Sequence, residues 1–128
     1  EMREIKFRVW DKETKNIYEV RNIDFISEMV EIKYQANYGV RELENVILMQ
    51  FTGLQDKNGV DIYEGDILIY QHMFVDKKSV SEVIWNEKYS GFASYVEDDE
   101  RRYILEKELK NQFEVIGNIY ENPELLEV

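Results

Sequence analysis

Cysteine is absent from this 128-residue chain, proline and histidine occur once each, and glycine occurs only six times. Without cysteine there is no disulfide, zinc-finger, iron–sulfur or thiol chemistry to consider. The single proline is Pro123, so nearly everything before it can donate to a sheet ladder. No apolar run approaches the roughly 20 residues of a membrane helix. The opening Glu1-Met2-Arg3-Glu4 leads into alternating residues, not into the apolar stretch of a secretion signal. The expectation is a soluble, cytoplasmic protein with no membrane partner. Cations are also scarce: 16 Lys+Arg stand against 27 Asp+Glu, a net charge of −11. That balance argues against general nucleic-acid binding, which needs a basic footprint. It leaves two readings: a charge that keeps the protein soluble, or an acidic decoy that imitates DNA toward a host nucleic-acid-binding protein.

What the chain does have is 44% hydrophobic and 13% aromatic residues, enough for a modest core. Their arrangement has period 2. Ile5, Phe7 and Val9 alternate with Glu4, Lys6 and Arg8, the pattern of a strand with one wet face. After the polar turn at 11–16, Ile17–Val20 returns. Ile23–Phe25 and Met29–Tyr34 read as two more strands, Asn37-Tyr38-Gly39 as a turn, 40–45 as a loop or helical turn, and Val46–Thr52 as a buried strand. Asn58-Gly59 is the strongest tight-turn signal, and Glu64-Gly65-Asp66 launches the apolar run Ile67–Tyr70. Gly53, Gly59 and Gly65 read as separate turns around one hairpin. Strands at Val80–Trp85, Phe92–Val96 and Phe113–Tyr120 follow; Tyr103–Lys110 reads as a short helix, with Leu105 and Leu109 four apart, or alternatively as a strand. Phe7, Ile67, Ile69, Val83, Val115 and Ile119 are the expected core. The fold class is all-β: an N-terminal β segment (1–50) packed on a C-terminal five-stranded, SH3-like barrel (51–128), forming one compact unit.

Three stretches together resemble the YopX family of phage and prophage proteins: R-E-I-K-F-R-V-W-D from Arg3, T-G-L-Q-D-K-N-G-V-D-I-Y-E-G-D-I-L from Thr52, and E-V-I-G-N-I-Y-E-N-P-E-L-L from Glu114. Their order and spacing match across nearly the whole chain, and only 71–112 lacks family-specific residues. The resemblance implies a β-rich protein with an SH3-type C-terminal part, a phage or prophage source in a Gram-positive host, and action in the host cell cytoplasm. It supplies no activity, cofactor or catalytic residue.

Few constellations suggest chemistry. Asp56, Asp61, Glu64 and Asp66 fall within eleven positions, and such clusters can bind divalent metal or do acid–base work. The spacing fails the calcium-loop pattern, because counting from Asp56 puts Gly59 at position 4 and Val60 at position 5. Asp56, Asn58, Gly59, Gly65 and Asp66 are therefore read as turn residues, with Asp66 bonding the amides that follow it. His72 reads as an exposed loop residue; pairing with Ser79 or Ser81 is formally open, without a nucleophile-elbow motif around either. Arg3, Lys6 and Arg8, if they converge with Arg101 and Arg102, would make a small basic patch able to touch phosphate; a solvated strand face is the alternative. Among the aromatics, Tyr89, Phe92 and Tyr95 are the candidate binding surface, since exposed aromatics on small barrels bind peptides or stack bases. The functional expectation is a non-enzymatic binding module with a protein partner, a second copy of the chain included, and no cofactor or metal. A metal-dependent enzyme using the Asp56–Asp66 carboxylates is the alternative besides the decoy.

Overall fold

The computed structural model describes residues 2–74, 76–88, 90–96, 101–104 and 107–127, with backbone alone at 95–96, 101–104 and 108–109. It is mainly β: eleven strands and short 3₁₀ turns, with no α-helix among the described residues. The chain divides into two units, Glu1–Phe51 and Thr52–Val128.

The first unit is an antiparallel meander. Strands β1 (Phe7–Asp11), β2 (Asn16–Asp24), β3 (Met29–Tyr34), β4 (Asn37–Glu42) and β5 (Val46–Gln55) lie in the order β4-β3-β2-β1-β5. Alternation decides which side chains go inside: Val30 and Ile32 of β3 are buried, while Glu31 and Lys33 are not. With Val9 and Val46 they form a core, closed over by Tyr18, Val20, Ile23, Leu43 and Leu48. Each such buried aliphatic side chain contributes about 1.5–3 kcal/mol. The three hairpin turns of this unit contain Lys15 (φ 57°), Glu28 (φ 57°) and Gln35 (φ 54°), non-glycine residues in the left-handed region.

In the second unit, β7 (Asp66–Gln71), β8 (Lys78–Asn86), β9 (Gly91–Val96), β10 (Arg101–Ile104) and β11 (Phe113–Asn118) form an antiparallel sheet of order β10-β9-β8-β7-β11. The short β6 (Asp61–Tyr63) neighbours the end of β5. Among the described residues neither strand order closes on itself. Ile62, Leu68, Tyr70, Val83 and Phe113 make the core, with Leu54, Phe92 and Val115 packed against it. Ile67 and Leu68 are both fully buried, as an all-apolar run requires. The register of β11 on β7 shifts between Val115 and Gly117, a bulge that increases local twist.

Several expectations are corrected. The helix over Tyr103–Lys110 is absent: Tyr103 and Ile104 pair with Ser94 and Ala93, and the chain then makes a 3₁₀ turn at Lys107–Gln112. Residues 105 and 106 of that segment lie outside the described residues. The turn at Asn37-Tyr38-Gly39 lies two residues earlier, at Gln35–Ala36, because Gln35 itself takes the left-handed conformation and lets Asn37 pair with Tyr34. Residues 40–45 split between the end of β4 and a 3₁₀ turn at Leu43–Asn45. Ile23 and Asp24 belong to a single long β2, broken only by a register shift between Val20 and Asn22, and Phe25 falls in the following turn. Of the expected core, Ile67 and Val83 are fully buried, while Phe7, Ile69, Val115 and Ile119 are half-buried. Gly53 (φ 87°) lies inside β5 and not in a turn.

Candidate functional site

The acidic segment is built around backbone amides. Asp56 is fully buried at the end of β5. Its Oδ1 accepts hydrogen bonds from the N–H of Asn58 (2.8 Å) and Val60 (2.9 Å), and its Oδ2 accepts from the N–H of Val115 (2.9 Å). The backbone closes the same turn through Asp56 N to Val60 O and Gly59 N to Asp56 O, and Lys57 N reaches Phe113 O. Gly59 (φ 79°) and Gly65 (φ 84°) occupy the left-handed region that side chains disfavour. Asp66, also buried, accepts from the N–H of Tyr63 at 2.8 Å. It thus ties down the turn before it. Asp61 Oδ1 accepts from Gln55 Nε2, and Glu64 is half-buried in the turn. Three of the lone pairs a metal would need on Asp56 are already taken by N–H donors, and no metal-competent group of three or more His, Asp or Glu occurs among the described residues.

A carboxylate that sequence reasoning did not single out has the same character. Asp11, fully buried at the end of β1, accepts from Glu13 N, Thr14 Oγ1 and Arg41 Nε (3.0 Å). Burial pushes its carboxyl up. The Arg41 guanidinium, the Glu13 amide and the Thr14 hydroxyl together outweigh burial and hold it below the ordinary range. The Asp-x-x-Thr spacing at 11–14 was the available signal; the partner Arg41, thirty residues on, was not visible in it.

His72 is half-buried rather than exposed. Its Nε2 lies 2.8 Å from Ser79 Oγ, and its ring meets Tyr70 edge-on. The β7–β8 register explains the pairing, since Tyr70 stands opposite Ser79. Ser79 is buried, at 7% exposure. Ser81 and Ser94 likewise share a hydrogen bond across β8 and β9, inside the sheet. Lys6 is engaged by Glu4 and lies over the Phe51 ring, and the side chains of Arg101 and Arg102 lie outside the described residues.

For the aromatic surface, Tyr89 lies outside the described residues, and Tyr95 is described by its backbone, paired with Arg102. Phe92 sits half-buried against the core. Opposite it in the β8–β9 register stands Trp85, with ring centroids 5.1 Å apart and planes at 75°. Trp85 shares the sheet face of Val83, yet it is 47% exposed where Val83 is buried, and β8 ends one residue later at Asn86. An indole held edge-on by a packed phenylalanine is a preorganised contact surface.

The family model for YopX protein matches residues 6–127. The crystal structure of protein EF1440 from Enterococcus faecalis is similar at TM-score 0.72 and 27% identity, covering 98% of this chain and 100% of that one. The crystal structure of protein yopX from Bacillus subtilis is similar at TM-score 0.69 and 24% identity, with the same coverage, and shows the shared fold. No curated protein matches the sequence. With the family match running through both units, this chain belongs to the YopX family.

Proposed function

We propose that this chain is a non-enzymatic binding module of a phage or prophage, acting on a protein partner in the host cytoplasm through the β8–β9 hairpin. The observation that carries the reading is Trp85, half exposed and braced edge-on by Phe92. Tryptophan in such a setting is the residue type that most often dominates a protein interface. The carboxylates Asp56 and Asp66 support the reading from the other side, because they accept from backbone amides of their turns and, for Asp56, of β11. We read the sheet β10-β9-β8-β7-β11 as an SH3-like barrel; five antiparallel strands and the bulge at Val115–Gly117, which tightens coiling, favour it. The partner is a protein, with a second copy of this chain among the candidates.

The test compares the full chain with Trp85→Ala, each immobilised against host lysate, with every retained protein identified and its affinity measured after purification. A hot-spot tryptophan predicts at least about a tenfold loss of affinity in Trp85→Ala at unchanged folding. Equal affinities would remove the hairpin as the binding face. Melting with Mg²⁺, Mn²⁺ or Ca²⁺ tests the enzyme alternative, because a specific metal site raises the melting temperature with the logarithm of metal concentration.

A further inference from the structure

The turn between β2 and β3 leaves two large apolar side chains in water, Phe25 at 70% and Ile26 at 98% exposure. The turn is not loose: Asp24 Oδ1 accepts from the N–H of Ile26 (2.9 Å) and of Ser27 (3.1 Å). Beside it lies an open recess of about 230 Å³. Met29 and Val40 supply apolar wall, while Asn22, Asp24, Ser27 and Glu31 supply oxygen-rich polar wall. The Asp24 carboxyl is held below the ordinary carboxylate range by Ser27, through its backbone amide and side chain, and by the Ile26 amide, so it stays anionic across the neutral range. Further acid surrounds the recess: Glu28 follows in the turn, and Glu42 pairs opposite Met29. Arg41 is committed to Asp11 and the Val40 carbonyl, while Arg21 pairs with Glu31 in the recess wall and lies over the Tyr38 ring, so Asp24 is the recess carboxylate that an incoming cation would meet.

An apolar wall ending in carboxylate and amide oxygens fits the aliphatic stem and cationic head of a lysine or arginine. We infer that the β2–β3 turn and this recess form a second docking surface, which takes a protein partner presenting a basic side chain into the recess and an apolar pocket onto Phe25 and Ile26. Charge decides the occupant. An anionic membrane surface is repelled by the same acids, and a symmetric second copy would set carboxylates against carboxylates on a chain of net charge −11. Blocking of the Val40 carbonyl by Arg41 Nη1 (3.0 Å) also makes the adjacent β4 edge a poor template for an added strand.

The experiment places a photo-crosslinking amino acid at position 26 of the full chain, irradiates it in Enterococcus faecalis and Bacillus subtilis lysates, identifies the adduct by mass, and purifies the captured protein. Its affinity is then measured for the unmodified chain, Phe25→Ser/Ile26→Ser and Trp85→Ala. Both turn side chains are exposed, so the double variant should melt as the parent does. Expected are a basic partner surface, at least about a tenfold loss for the double variant, and marked weakening between about 0.05 and about 0.5 M salt. Trp85→Ala should leave this affinity unchanged, which separates the surface from the hairpin. The inference is overturned by absence of any adduct, by adducts only between copies of the chain, by salt-insensitive binding, or by equal affinity for the double variant. Preferential binding to anionic vesicles, also abolished in the double variant, would assign the turn to a membrane and overturn it as well.

Discussion

Replacing Asp56 with alanine removes one carboxylate and leaves three backbone donors, those of Asn58, Val60 and Val115, without their acceptor. Asp56 is fully buried, so water cannot readily take its place. A hydrogen bond to a charged group contributes about 1.5–3 kcal/mol, and a buried donor left unsatisfied costs about 1–3 kcal/mol. The three bonds share one side chain and are not additive. A loss of about 3–5 kcal/mol is therefore expected, a large part of the roughly 5–15 kcal/mol that holds an ordinary domain together. Asp56→Asn keeps one acceptor oxygen. If that oxygen stays on Asn58 and Val60, the amide nitrogen faces the Val115 N–H and the loss falls to about 1–2 kcal/mol. Urea unfolding read by tryptophan fluorescence measures both, with Trp10→Phe leaving Trp85 to report on the second unit alone. Amide exchange adds the decisive detail: Val115 should exchange faster in both variants, Asn58 and Val60 only in the alanine variant. A loss within about 0.5 kcal/mol for Asp56→Ala, the range of ordinary surface changes, would refute the claim that this carboxylate ties the β5–β6 turn to β11. So would unaltered exchange at Val115.

Gly59→Ala should destabilise by about 1–2 kcal/mol through backbone strain alone, since φ is 79° and nothing lies within 4 Å of an added Cβ; D-alanine at the same position, introduced by synthesis, should restore stability. Asp11 has a folded-state pKa below its free value of 3.8, so its contribution is fully present above that value and is lost as pH falls through the lower folded one. Arg41→Gln should cost about 2 kcal/mol at neutral pH and flatten this acid limb; urea curves for the two proteins that run parallel from about pH 7 to about pH 2.5 would contradict the pairing. Glu82 carries the opposite sign, because burial alone raises its pKa above 4.5. Its cost appears as pH rises through the window above 4.5, so Glu82→Gln should stabilise the protein at neutral pH and converge with the parent in acid.

The strands were readable wherever one face is wet. Glu31 and Lys33 against Val30 and Ile32 fix β3, and the apolar run at 67–70 fixes a strand covered on both sides. The errors fall where long-range pairing decides. Nothing local says that Tyr103 will pair with Ser94, and nothing marks Gln35, a residue with a β-carbon, as the left-handed corner of a hairpin. The site shows the same division. The carboxyl-to-amide bonds within the Asp56 turn span two to four residues, so spacing suggests them; the bond to Val115 spans 59 and needs the fold. Trp85 is one aromatic among many in the sequence and is not singled out there, for a related reason. Alternation assigns it to the face of Val83, and only the fold shows that it is 47% exposed there.

The acidic composition thus divides into two populations with opposite physics. Asp11, Asp56 and Asp66 are buried and hydrogen-bonded to backbone, so their carboxylates order turns and are out of direct reach of a partner. Asp24, Glu28 and Glu42 lie along the β2–β3 turn and the strand paired to it, where charge acts on whatever approaches. Net charge alone cannot distinguish these roles, which is why −11 suggested both a solubility device and a decoy. A decoy needs its carboxylates at phosphate-like spacing over an extended face. Here the three most buried aspartates are unavailable to any partner, and the exposed acids beside Phe25 and Ile26 border an apolar contact, an arrangement suited to a basic protein surface with a hydrophobic centre.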